Sequence, residues 1–261
     1  GHRVLSQNRR GPIGPLGMVL RRINESSVSL IIMGTALMSG WGAGLDTSAL
    51  ALLCSNPAAF GPFLSDPLGV FVWILRSTSL PGLVSDWVLM LAAMMPLLLV
   101  APLRYVRRCS SRGFRVAQSC GFIVGYALVW ISAIPLFLAA ALFIRSVFAD
   151  GMALIAVLAL AILWSASPFQ RHALNLAHRS PRLALGRWRG FGDTLRFGLS
   201  HGVLCLCACW AWMLIPMMVG SSGLHTIAMI LVSAVLITER MTQNTPAVWR
   251  RPIVLDWPAW T

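Results

Sequence analysis

Long apolar runs alternate with short arginine-bearing segments over most of this 261-residue chain. A transmembrane helix needs about 20 mainly apolar residues to cross a hydrocarbon core about 30 Å thick, and six runs approach or exceed that length. The runs lie at about 27–45, 83–103, 118–144, 150–167, 198–219 and 223–238. A further apolar run at 68–75 is too short to cross and is expected to lie at the membrane interface. The pattern predicts an all-α membrane protein, a bundle of about six transmembrane helices.

The arginines predict the orientation of this bundle. All of the basic residues other than histidine are arginine, and with six spans all but Arg76 and Arg145 fall on one side of the membrane. By the positive-inside rule that side is the cytoplasm, so both termini are cytoplasmic and the membrane is expected to be a bacterial inner membrane. The predicted domains are a basic cytoplasmic arm at 1–26, a six-helix transmembrane domain at 27–240 and a cytoplasmic tail at 241–261.

Composition agrees with a membrane protein and argues against a nucleic-acid partner. Hydrophobic residues make up 57% of the chain and charged residues 11%. A net charge of +13 would suit nucleic acid, but the arginines flank apolar runs instead of forming one basic domain. Membrane lipids are therefore the expected partners. The loop at 168–197 mixes arginine with apolar residues, so it is expected to lie on lipid headgroups or against another subunit of a membrane complex.

Five potential metal ligands recur at four-residue steps along the fifth run. They are His201, Cys205, Cys209, Met213 and Met217, called here the donor ladder. Four residues advance an α-helix by slightly more than one turn, so successive members share a slowly drifting face. His201 and Cys209 are about 12 Å apart along the helix axis, which is too far for one site. The ladder therefore predicts two overlapping half-sites or a path.

A second group of soft ligands lies in the second run, where WVLMLAAMMP places Met90, Met94 and Met95. Thioethers favour Cu(I), and Met94 and Cys209 both fall near the middle of the membrane because spans 2 and 5 run in opposite directions. We therefore predict a soft-metal site between these spans, with copper as its ion and His201 at its cytoplasmic end. The predicted ligands are Met90, Met94, Met95, His201, Cys205, Cys209 and Met213. Ordinary packing is the alternative, because Met fills gaps in apolar cores and Cys is a small buried hydrophobe.

Over about residues 83–240 the chain resembles a bacterial family of unknown function, described as predicted metal-binding integral membrane proteins. The family pattern W-x-x-M-x-x-A-M-M-x-P is matched by Trp87, Met90, Ala93, Met94 and Met95, with Pro96 one position before the proline of the pattern. The pattern H-G-x-x-C-x-x-C-C-W corresponds to 201–210, with Ala208 in place of one cysteine. A cysteine-bearing cytoplasmic segment of the family corresponds to SPFQRHALNLAHRSP, which contains no cysteine. The resemblance implies an integral membrane protein that binds a metal ion.

Two other functions stay open. A non-catalytic accessory or assembly subunit of a larger complex would have a degenerate metal site and would dock through glycine faces such as Gly121 and Gly125. A metal-dependent membrane oxidoreductase is disfavoured because the spans hold almost no His, Asp or Glu to assist catalysis at a metal. No P-loop, Rossmann glycine motif or HExxH zinc motif occurs, so no catalytic residue is assigned. Glu239 and Arg240 are expected to form an ordinary interfacial helix end.

Overall fold

The structure, a computed structural model, describes residues 29–36, 66, 69, 80–148, 150–179, 181, 187–219, 222–241 and 248–249. The predicted basic arm, most of the first span, almost all of the interfacial run at 68–75 and most of the tail lie outside the described residues.

Every regular element in the described ranges is helical, which confirms the all-α prediction for this part of the chain. A helical segment covers 29–36. The helices that follow are α1 (Leu80–Met94), α2 (Pro96–Cys109), α3 (Arg115–Ser132), α4 (Ile134–Val147), α5 (Asp150–Ala166), α6 (Pro168–Ala177), α7 (Arg187–Met218) and α8 (Ser222–Met241). A short 3-10 turn, Arg112–Phe114, connects α2 to α3.

Two helices are long and apolar enough to cross a membrane alone: Arg115–Val147, which joins α3 and α4 over 33 residues, and the 30 residues Arg189–Met218 of α7. Two bent pairs also qualify if each is one span. These are α1 with α2, bent by 76°, and α5 with α6, bent by 64°. The described residues thus contain two to four helices suited to a membrane, which fits a multi-pass protein, and the six-span bundle stays a prediction.

Proline causes both bends. Pro96 and Pro168 begin α2 and α6, where a missing backbone N–H costs nothing, and each disfavours helical geometry in the residue before it. At the second bend Ser167 caps α6, because its Oγ accepts a hydrogen bond from the Gln170 backbone N–H at 3.3 Å. The chain therefore changes direction within the predicted span 83–103 and at the end of the predicted span 150–167. The length of an apolar run does not reveal such a bend.

The closest helix packing joins α3 to α7, and glycines make it possible. A Cβ atom at Gly125 would overlap the Leu195 carbonyl oxygen, and one at Gly198 would overlap the Phe122 carbonyl oxygen. The two backbones can approach this closely only because these positions have no side chain. This contact sets how α7, which carries the donor ladder, is rotated against α3. Helices α5, α6 and α8 also pack on α7.

Replacing Gly198 by alanine is expected to destabilise the protein by about 1–3 kcal/mol, because the added methyl group forces the α3 backbone away. Thermal unfolding in detergent measures the effect as a lower Tm. Gly192→Ala is the matched control on the same helix, since a Cβ there meets nothing within 4 Å and alanine favours the helix. Equal melting temperatures for the two variants would contradict close α3–α7 packing.

Candidate metal centre

All five members of the donor ladder are buried along one continuous face of α7. His201 is 4% exposed, Met217 1%, and the three between them no more than 2%. Pro216 does not end the helix, which runs to Met218, so Met217 stays buried with the others. Cys207, by contrast, is exposed on the other side of α7. The four-residue spacing therefore identified a buried stripe of soft ligands.

Cys205 and Cys209 form a dithiol pair in this stripe. Their Sγ atoms are 3.9 Å apart, and the Tyr126 hydroxyl on α3 donates a hydrogen bond to Cys205 Sγ at 3.3 Å. Both cysteines and Tyr126 are buried. The pair is thus preformed, and the phenol supplies a donor that stabilises a thiolate on Cys205.

The spacing of the two sulfurs suits a metal ion with three ligands. With metal–sulfur bonds of about 2.3 Å, as in zinc thiolates, sulfurs 3.9 Å apart subtend about 115° at the metal. A linear complex would separate the sulfurs by about 4.6 Å. Within the described ranges no three His, Cys, Asp or Glu side chains converge as a metal site. Methionine thioethers lie in the same buried cluster as this pair and are candidates for a third ligand.

The structure brings the predicted methionines of α1 into the same buried core as the dithiol. Met90, Met94 and Met95 are at most 7% exposed, and they share one apolar cluster with Cys205, Cys209 and Met213. The indole N–H of Trp87 holds α1 against α3 by a hydrogen bond to the Trp130 carbonyl oxygen at 3.0 Å. However, α1 contacts α8 and α3 more than it contacts α7. Met213, which is on α7 itself, is the better placed thioether because helical side chains lean towards the preceding turn.

His201 is occupied by another partner. Its Nε2 lies 3.3 Å from Arg240 Nη1, and because a guanidinium has no acceptor, Nε2 accepts this hydrogen bond. The imidazole is also enclosed by aromatic rings: Phe122 and Phe197 at 5.8 Å between centroids, and Tyr126 at 6.4 Å. The structure therefore links His201 to the dithiol through Arg240 and Tyr126 and leaves its Nε2 lone pair engaged.

Arg240 is the functional residue that the sequence analysis missed. Its Nη1 also donates to the Leu98 carbonyl oxygen at 3.3 Å, and its charge acts on Cys205, Cys209 and Tyr126. Its Nη2 is a buried donor without a hydrogen-bond partner among the described residues. The guanidinium thus brings a positive charge to the dithiol. The spacing along α8 could have indicated this position. Val232 and Leu236 are buried, and Arg240 follows them on the same face at four-residue steps.

Glu239, near the end of α8, is buried among the helices. The carboxylate is 3% exposed and accepts a hydrogen bond from Gln170 Nε2 at 2.8 Å. Gln170 Nε2 also donates to the Ala208 carbonyl oxygen, between the two cysteines of α7, at 3.2 Å. This network ties α6, α7 and α8 together beside the dithiol. The helix end predicted at Glu239 and Arg240 is present, and both side chains make buried contacts there that the sequence analysis did not indicate.

His178, at the end of α6, completes the polar surroundings. Burial, and next the positive charge of Arg240, lower the pKa of His178 below its ordinary value. With His201 and Arg240, His178 lines a cavity of about 190 Å³ between α2, α6, α7 and α8.

A family model described as PpoB2, copper chaperone, matches residues 84–255, about two thirds of the chain. The match includes both methionine and cysteine groups and Arg240. No match was found among curated proteins or among solved structures.

Proposed function

The chain belongs to the PpoB2 copper chaperone family, and on that premise we propose that it is a multi-pass protein of the bacterial inner membrane that holds one Cu(I) ion between Cys205 and Cys209. Copper handling follows from the family. The oxidation state, the ligands and the membrane are our proposal. The ion is the cargo of this chaperone, and it is handed on to a partner protein.

The buried dithiol beside Arg240 carries this proposal. Two thiolates and one Cu(I) ion have a net charge of −1, which is costly to bury without a counterion. Arg240 supplies one positive charge where it acts on both sulfurs, so the loaded site is neutral. Divalent zinc with two thiolates and a thioether would leave the site with an excess positive charge. Sulfur ligands and this charge balance both favour Cu(I).

Met213 is the proposed third ligand, one turn beyond Cys209 and fully buried. Met90, Met94 and Met95 are proposed to complete the sulfur-rich surroundings from α1 and to accept the ion during transfer. His201 is proposed to control access to the dithiol, because its lone pair becomes available only when Arg240 turns away from it.

The membrane proposal rests on the outer faces of the helices. Large apolar side chains such as Leu136, Ile155 and Leu163 are more than half exposed, which suits contact with lipid acyl chains. Membrane lipids are accordingly the proposed surroundings, both termini are proposed to be cytoplasmic, and no nucleic-acid partner is proposed. Gly121 and Gly125 are packed against α7, so these two glycines offer no docking face for the accessory-subunit alternative.

Metal analysis and X-ray absorption of the protein, purified in mild detergent under reducing conditions, test this proposal. We expect about one copper per chain, as Cu(I) with sulfur ligands only and a coordination number of three. Zinc or iron in place of copper, or copper bound by nitrogen and oxygen, would contradict it.

Met213→Leu is expected to change the absorption spectrum from three-coordinate to two-coordinate copper and to weaken binding about tenfold, because the thioether is lost while the dithiol remains. Met229→Leu is the matched control. Met229 is a buried methionine of the same apolar cluster, on α8, and is outside the proposed ligand set. An identical spectrum for Met213→Leu and the unchanged protein would remove Met213 from the site.

A further inference from the structure

An arginine-lined cavity lies beside His201, near the stretch of α7 that carries the dithiol. It has a volume of about 410 Å³ and lies between the end of α6 and the first turns of α7. Its polar lining consists of Arg179, Arg196, Asp193, Ser200 and His201. We call it the mouth. Its volume is within the range of small-molecule sites and far larger than a bare ion needs.

The mouth lies beside the stretch of α7 that precedes the dithiol. His201 lines both the mouth and the smaller cavity with His178 and Arg240. Leu204 also lines the mouth, and the next residue of α7 is Cys205. A molecule held in the mouth is therefore about one helical turn from the first thiol of the pair.

The charge of the mouth is unfavourable for a bare cuprous ion. Arg179 and Arg196 are exposed there and outnumber the one carboxylate, Asp193. A cation is repelled by this lining, whereas a carboxylate or an anionic complex is attracted to it. Arginine also binds carboxylates with two parallel hydrogen bonds, which would orient such a ligand.

We propose that the mouth binds Cu(I) as the anionic complex of a small, carboxylate-bearing thiol. This inference rests on the proposed function, because it requires that copper passes to Cys205 and Cys209. Two carrier thiolates and one Cu(I) ion have a charge of −1, and each carboxylate adds another. The arginines hold the carboxylates, and the copper end of the complex faces His201 and Leu204.

Transfer is then a stepwise exchange of thiolates at a copper ion that stays Cu(I). Cys205 attacks the copper, a copper–sulfur bond to the carrier breaks, and the Cys205 proton leaves with that carrier thiolate as a free thiol. Cys209 displaces the second carrier thiolate in the same way. Two thiols of the protein become thiolates and two carrier thiolates become thiols, which keep their carboxylates. The copper ion with its two thiolates therefore has a charge of −1 before and after the exchange, and it passes from the mouth to Arg240.

The test measures how fast the copper-free, reduced protein in detergent takes up Cu(I) from three small thiols. Thioglycolate is anionic, 2-mercaptoethanol is neutral and cysteamine is cationic. Stopped-flow absorption of the copper–thiolate bands gives the rate, normalised for each donor to its rate of transfer to dithiothreitol. At low ionic strength we expect uptake from thioglycolate to be about tenfold faster than from cysteamine, and the difference to shrink at high salt.

The variant Arg179→Gln with Arg196→Gln is expected to lose this preference and to bind the same final amount of copper. The matched control is Arg108→Gln with Arg189→Gln, which removes the same charge from exposed arginines outside the mouth. Equal rates for the three donors, or the same loss in the control, would overturn the inference. If instead no donor loads copper and Cys205→Ser with Cys209→Ser behaves like the unchanged protein, the proposed function itself fails.

Discussion

Replacing Cys205 and Cys209 by serine is expected to reduce bound copper from about one ion per chain to less than about 0.1, because a hydroxyl is a poor ligand for Cu(I). Each single substitution leaves one thiolate and the thioethers, so we expect it to weaken binding by about a thousandfold or more. Competition with a chromogenic Cu(I) chelator measures the affinity, and metal analysis measures the amount.

Two other cysteines provide the controls. Cys207→Ser and Cys120→Ser change exposed thiols, one on the opposite side of α7 and one on α3, and both are expected to keep full copper content. Serine is close in size to cysteine, so the paired substitution creates little empty volume in the core. If the variant without Cys205 and Cys209 retains copper and Cys207→Ser loses it, the site lies elsewhere on α7.

Replacing Arg240 by glutamine is expected to weaken Cu(I) binding by about 10–100-fold, because the anionic complex loses its counterion. At an effective dielectric constant of about 20, two unit charges about 8 Å apart interact by about 2 kcal/mol, and Arg240 is half-buried, so solvent screens part of this interaction. Arg240→Lys keeps the charge and is expected to recover most of the affinity.

The control for this substitution is Arg145→Gln. Arg145 is also a partly buried arginine that donates to backbone carbonyls, those of Met217 and Met218, but it lies at the C-terminal end of α7, about 12 Å along the helix axis from Cys209. We expect its loss to leave copper affinity unchanged within about twofold. Equal losses of affinity in the two variants, or none in Arg240→Gln, would show that Arg240 does not act as the counterion.

The periodicity of the sequence predicted the helices and the stripe of donors because both depend on local geometry. Apolar length identified α3 with α4 and α7, and four-residue spacing identified the buried ladder from His201 to Met217. The length of the apolar runs could not predict the bends at Pro96 and Pro168, although both prolines are present in the sequence.

The partners of the ladder could not be predicted from spacing. Tyr126 reaches Cys205 from a residue 79 positions away, and Arg240 reaches His201 from 39 positions away. Both contacts depend on how α3 and α8 are rotated against α7, which glycine packing decides for α3. Arg240 looked like a typical arginine at the end of a membrane helix, and only the burial of that end makes it part of the site.

If copper is held by the donor ladder as proposed, Arg145 would also influence the direction in which the ion travels. Moving outward along α7, the ion would exchange thiolates for the thioethers of Met213 and Met217, so the charge of its complex would rise from −1 towards +1. The guanidinium that hydrogen-bonds to the Met217 and Met218 carbonyl oxygens stands at this end and repels such a cation. With the proposed topology, this charge would close the ladder at its outer end. We expect the protein to work as a reversible reservoir that exchanges copper through one opening, and not as a conduit across the membrane.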